Sequence, residues 1–200
     1  MKKSSKELLL FLSVFIGLAL SGCVGRLPGS ARYPELDINE GKMIYARQVL
    51  VHYDAAGNTV PQYYEIWAVQ GKSACRELDG DGREVRTFLD YGDRHIAYNS
   101  STREAVKLKF NKVFILDYEA LKKVYPVETV NEDQEYAGRN CSVHLLESDG
   151  GDDWLKIYCD SETGFVLFCD APLFTLKTAD FEILPEDPEK FSEPKDLDFQ

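Results

Sequence analysis

Ala105-Val106-Lys107-Leu108-Lys109-Phe110 alternates apolar and charged side chains, so Val106, Leu108 and Phe110 share one face and Lys107 and Lys109 the other. Period two is the repeat of a strand, whose side chains point alternately to either side of a sheet. Cys141-Ser142-Val143-His144-Leu145 repeats the pattern with Cys141, Val143 and Leu145 inward, and Leu155-Lys156-Ile157-Tyr158-Cys159 does so again. One apolar and one wet face per strand is the signature of an antiparallel sheet.

Turn-forming clusters separate these segments: Ala55-Ala56-Gly57-Asn58, Asp79-Gly80-Asp81-Gly82, Tyr91-Gly92-Asp93, Ser148-Asp149-Gly150-Gly151 and Ser161-Glu162-Thr163-Gly164. They leave room for about eleven strands, near 42–53, 59–70, 74–78, 84–90, 94–99, 104–110, 127–136, 140–147, 154–160, 165–170 and 173–183. Asp117 to Tyr125 alone has a helical stripe, with Tyr118, Leu121 and Val124 on one side and Pro126 as its stop. The expected class is therefore mainly β with a little helix: a single strongly curved sheet, a sandwich or a barrel.

The chain opens Met1-Lys2-Lys3-Ser4-Ser5-Lys6, a basic start, and continues through apolar Leu8 to Leu20. Thirteen residues are too few for the roughly 20 that span a bilayer as a helix, so the segment reads as a secretory leader. Leu20-Ser21-Gly22-Cys23 follows. This order resembles the lipobox of bacterial lipoproteins, which implies cleavage between Gly22 and Cys23 and lipidation of the Cys23 thiol. Two or three acyl chains anchor a protein stably where one does not. Val24 stands where an inner-membrane retention Asp would, so the expected address is the outer membrane, facing the periplasm, if the source has two membranes. Residues 23–41 read as a lipidated tether with Gly25, Pro28, Gly29 and Pro34, residues 42–184 as one domain, and 185–200 as an extended acidic tail.

The 200 residues carry a net charge of −11, and removing the leader with its three Lys and one Glu leaves −13. So acidic a surface repels phosphate backbones, which excludes nucleic acid as a partner. Catalytic patterns are sparse. His52, His95 and His144 lie singly on separate strands, and His144 takes the polar face of its strand by parity. No zinc helix, nucleophile elbow or phosphate loop is written, and Asp152-Asp153 is an acidic turn. Asp79-Gly80-Asp81-Gly82 lacks the further ligands of a calcium loop and reads as a hairpin turn. The expectation is no enzyme, no metal and no cofactor.

Four cysteines remain beside Cys23: Cys75, Cys141, Cys159 and Cys169. A short hairpin centred on Gly150 would set Leu145 opposite Leu155 and Cys141 opposite Cys159, making that pair a disulfide candidate with Cys75 and Cys169 left over. Four buried thiols are the alternative.

Tyr64-Glu65-Ile66-Trp67-Ala68-Val69-Gln70-Gly71-Lys72 resembles the second-strand segment of the bacterial lipoprotein-carrier superfamily of LolA, LolB and RseB. Asp90-Tyr91-Gly92-Asp93 through Tyr98-Asn99-Ser100, Gly138-Arg139-Asn140-Cys141 through Glu147, Tyr158-Cys159-Asp160-Ser161-Glu162-Thr163-Gly164 and Phe191-x-x-Pro194 are similar to later family segments in the same order. The resemblance implies a half-barrel with a helical lid, and a concave apolar face that binds acyl chains or lipoproteins without chemistry. A full N-terminal amphipathic helix is missing, since Leu36 to Gly41 is too short, and Gln70-Gly71 replaces an expected basic residue. Trp67, by the resemblance, and Leu108, Phe110, Val143 and Ile157, by alternation, are the candidate ligand-facing residues. The alternative is a structural or protein-interaction lipoprotein with a filled core.

Overall fold

The computed structural model describes residues 36–53, 57–108, 125, 127–148 and 153–200. Twelve strands appear among them: β1 Lys42–Tyr53, β2 Thr59–Val69, β3 Lys72–Leu78, β4 Glu84–Asp90, β5 His95–Asn99, β6 Glu104–Leu108, β7 Val127–Tyr136, β8 Arg139–Glu147, β9 Trp154–Asp160, β10 Val166–Ala171, β11 Phe174–Pro185 and β12 Asp198–Phe199. They form one sheet in the order β12-β6-β5-β4-β3-β2-β1-β11-β10-β9-β8-β7. Two meanders, β1 to β6 and β7 to β11, are joined where β1 pairs with β11. Every pairing is antiparallel except β12 beside β6. A twisted sheet of more than about ten strands must curl. The result is one large open, curved sheet, consistent with a half-barrel. The helix expected over Asp117 to Tyr125 and the strand residues Lys109 and Phe110 lie outside the described residues, apart from Tyr125, which is in no helix or strand.

Turn chemistry fixes the hairpins. Asp79 Oδ1 accepts the backbone N–H groups of Asp81 and Arg83 at 2.9 and 2.8 Å, and Gly82 takes φ +79°, which favours glycine. That carboxylate is thus a turn lock. Asp160 locks the β9–β10 turn, accepting from Thr163 N at 2.9 Å and Thr163 Oγ1 at 2.6 Å. Arg139 of β8 adds two bonds to it, Nε at 2.8 Å and Nη2 at 3.1 Å.

Asp160 makes stability depend on acid. Burial alone would raise its pKa, but the bonds from Arg139 and Thr163 outweigh burial and hold the carboxyl below its ordinary value. Glu84 shifts the same way, with bonds from Ser100 and Thr87 and the Arg76 charge outweighing burial. A depressed carboxyl contributes stability above its unfolded-state pKa, about 4, and loses it as pH falls through the folded value. Calorimetry should therefore show the melting temperature falling below about pH 4. Asp160→Asn should cost about 2 kcal/mol at pH 7, roughly 4–8 °C, and flatten that acid slope. An unchanged slope would contradict the assignment.

Directly opposed residues of neighbouring strands share a face, so register sorts the side chains. Ile66, Cys75, Phe88, Ala97 and Val106 are opposed in sequence across β2 to β6. Leu50, Leu176, Cys169, Ile157, His144 and Val130 form the matching row from β1 through β11 to β7. This Ile66 face carries most of the larger buried cluster, with Ile44, Ala46, Ile66, Ala68, Leu146 and Ile157 fully enclosed. Burial of each large aliphatic side chain stabilises the fold by roughly 1.5–3 kcal/mol.

The opposite face has its own cluster, including Met43, Trp67, Ala74, Leu89, Tyr98 and Phe191. Residues 185–200, expected as an extended acidic tail, run over this Trp67 face. Their short 3-10 helix, Pro188–Phe191, begins at Asp187, whose side chain caps Glu189 N. Phe191 is buried beside Trp67, Tyr91 OH donates to the Phe191 carbonyl at 2.7 Å, and Arg94 pairs with Glu193 at 2.7 Å. The strap ends as β12 on the free edge of β6. Charge composition suggested a solvated tail; one buried aromatic in an acidic run decides otherwise.

Candidate functional site

Four aliphatic side chains of the Ile66 face remain open to solvent where they emerge at its margins: Val60 (42% exposed), Val106 (43%), Val130 (46%) and Ile183 (36%). Val60 opposes His52, Ile183 opposes Ile44, and Val106 and Val130 end the two rows named above. Leu108, half-buried on the same face, packs against the cluster and stands opposite His95. These residues are spread over β6, β2, β11 and β7, with the buried row and its polar members Gln48, Ser73 and Asp90 between them.

Two polar groups border these residues. His95 Nδ1 lies 3.0 Å from Asp90 Oδ1 beside Leu108, with both side chains largely buried. At the other end, Ser142 Oγ lies 2.9 Å from His144 Nε2, and His144 Nδ1 lies 2.9 Å from Glu128 Oε1. Glu128 reaches His144 diagonally across the β7–β8 ladder, since its direct opposite is Leu146. Burial lowers the pKa of His52, the third histidine on the face, against a weaker opposing bond from Gln62.

The residues picked from sequence do not all share a face. Leu108 and Ile157 lie on the Ile66 face. Trp67 lies on the other, between Arg76 at 4.8 Å and Lys190 at 5.2 Å from its ring centroid. Val143 stands opposite Tyr158, which stands opposite Phe168, and so also belongs to the Trp67 side. Phe110 is outside the described residues. The expected single surface of five is therefore corrected to a pair, Leu108 and Ile157, to which the structure adds the exposed margin.

Trp67, taken from the resemblance, is misplaced on its own account, and Val143 by register. The hairpin after β8 closes with Ser148 N donating to Asp153 O at 3.0 Å, leaving an even number of residues between them. Leu145 therefore opposes Lys156, Leu146 opposes Leu155, and Cys141 opposes Asp160. A slip of one residue turns every side chain over. Ser142 and His144, assigned by parity to a polar outer face, in fact lie on the Ile66 face. Glu128 meets His144 through the β7–β8 ladder instead, whose irregularity between Asn131 and Gln134 alternation does not announce.

The disulfide candidates change with it. Cys141 and Cys159 are not opposed, and Cys75 and Cys169 lie four strands apart in the sheet order, about 19 Å along the sheet at ~4.8 Å per step. All four are buried free thiols. Burial pushes the Cys159 and Cys169 pKa values up to about 12, which keeps them protonated and unreactive.

No protein-family model and no curated protein matches the chain. Among solved structures it is similar to an uncharacterized conserved protein from Thermus thermophilus, with TM-score 0.52 and 10% identity, over 80% of this chain and 89% of that one. It is also similar to a chain of the Pseudomonas aeruginosa MucA/MucB complex, with TM-score 0.50 and 13% identity, over 76% of this chain and 56% of that one. The chain shares its fold with both. A LolA superfamily protein from Nitrosomonas europaea is more distant, with TM-score 0.42 and 7% identity over 78% of this chain and 93% of that one. At 10% and 13% identity the first two likenesses establish a fold and nothing finer. This chain spans just over half of its MucA/MucB counterpart.

Proposed function

We propose that the protein is a cell-envelope lipoprotein, anchored through Cys23, that binds the acyl chain of a lipid or of another lipoprotein over the Ile66 face. The observation that carries this reading is the exposed aliphatic margin. Val60, Val106, Val130 and Ile183 lie on the face of the larger apolar cluster, where an acyl chain would remove those it covers from water at roughly 25 cal/mol per Å². The lipobox resemblance and the similarity of Tyr64 to Lys72 to the lipoprotein-carrier family support the same assignment. So does the acidic surface, which leaves apolar contact rather than charge as the means of holding an anionic lipid.

A second reading has its own observation. The centre of the face is filled, with no solvent-accessible surface on Ile44, Ile66, Leu146, Ile157 or Leu167. A filled centre with an apolar rim suits a protein partner, and the MucA/MucB structure is that of a complex between two proteins. Native mass spectrometry of the full chain in mild detergent separates the two. A retained mass of acyl-chain size is expected; a clean unliganded mass that takes up no added fatty acid would leave the protein-interaction reading.

A further inference from the structure

We propose that Ser142, His144 and Glu128 are a serine-hydrolase triad that acts on acyl esters held at the β7–β8 edge of the Ile66 face. The inference rests on that face being the acyl site.

Donors and acceptors fall in the order nucleophilic catalysis requires. An ionised carboxylate can only accept, so Glu128 Oε1, 2.9 Å from His144 Nδ1, fixes the proton on Nδ1. In the neutral ring Nε2 then carries the lone pair, and it accepts from Ser142 Oγ–H at 2.9 Å. Nucleophile, base and orienting carboxylate are thus in register through two bonds of catalytic length, and such a triad is known by geometry rather than chain order.

The strands explain why the three meet. Ser142 and His144 are two apart on β8 and therefore on one face, and Glu128 is the diagonal neighbour of His144 on β7. In the same row His144 stands between Val130 and Ile157. Aliphatic neighbours on both sides suit a fatty acyl substrate, and Val130 is open to solvent on the approach. The His144 and Glu128 side chains are 14% and 23% exposed, shielded enough to strengthen the bonds yet within reach of a ligand. A serine followed two residues later by a histidine needs no carboxylate partner to satisfy it in a solvated strand, so the third member is what distinguishes this cluster from a surface polar ladder.

The reaction balances with water as co-reactant. Ser142 Oγ bonds to the ester carbonyl carbon as its proton passes to His144 Nε2 and the carbonyl π pair moves to oxygen. When that pair returns, the C–O bond to the alcohol breaks, and the alcohol leaves with the proton from Nε2. Water then adds to the acyl-serine by the same route, giving the free carboxylic acid and restoring the Ser142 hydroxyl. Glu128 is a positioning residue that acts through His144.

The test is labelling of the full chain in mild detergent with an alkyl fluorophosphonate, located by peptide mass spectrometry. Label on Ser142 is expected, abolished by Ser142→Ala and slowed roughly a hundredfold by His144→Gln. Glu128→Gln should slow labelling with the melting temperature little changed, and Glu128→Asp should restore part of the rate, which a merely structural carboxylate would not do. Labelling no faster than in heat-denatured protein, or label on another residue, overturns the proposal. Fatty-acid binding without labelling removes the triad and keeps the acyl site; labelling without fatty-acid binding keeps the triad and removes the acyl site.

Discussion

Ile157→Asp should abolish cooperative folding. Ile157 has no accessible surface, opposes Cys169 on one side and His144 on the other, and belongs to the row that runs from Leu50 to Val130. A carboxylate there loses its hydration, and Arg139, which already bonds Asp160 and Glu162, is committed elsewhere. The cost, about 4 kcal/mol or more, is a large part of the 5–15 kcal/mol that holds a domain of this kind together. Circular dichroism during heating checks it. The expected trace has no sharp transition, and a melt within a few degrees of wild type would mean the row is not the core. Val106→Asp on the same face is the control: nearly half-exposed, it keeps its hydration and should melt normally.

Cys23→Ser should move the protein from the membrane pellet to the soluble fraction almost completely. The thiol is the atom to which a lipid would be joined, and a hydroxyl does not replace it. No helix among the described residues is long and apolar enough to cross a membrane. Fractionation with immunoblotting reads the result directly. A variant that remains in the pellet after a high-salt, high-pH wash would require a different anchor.

Much of the fold could be read from the chain because period two survives wherever one face is wet. The ends of β1, β4, β7 and β9 fall where Pro, Gly and Asp clusters place them, and the Asp160-to-Gly164 turn matches its motif because the Asp160, Glu162 and Thr163 side chains are all hydrogen-bonded. β12 was not legible: two residues carry no period, and their pairing with β6 depends on Phe191 docking beside Trp67 some seven residues earlier. The site was less legible than the fold. Alternation tells which residues of one strand belong together, but only register tells which strands agree, and register here rests on an even loop between Ser148 and Asp153. Parity therefore grouped Val143 with Ile157, which lie on opposite faces, and sent His144 to solvent when it lies beside Ile157. Trp67 was placed by resemblance rather than by alternation, and its partner Phe191 lies far away in the chain.

Titration of a fluorescent fatty acid with wild type and Leu108→Glu tests whether an acyl chain binds over the Ile66 face. Leu108 is half-buried at the margin, so a carboxylate there can stay hydrated in the free protein and must be desolvated when an acyl chain arrives. Wild type should take up the probe saturably, Leu108→Glu should bind at least tenfold more weakly, and the two should give the same circular dichroism spectrum. No uptake by wild type, or a folded Leu108→Glu variant that binds as wild type does, would contradict acyl binding over that face.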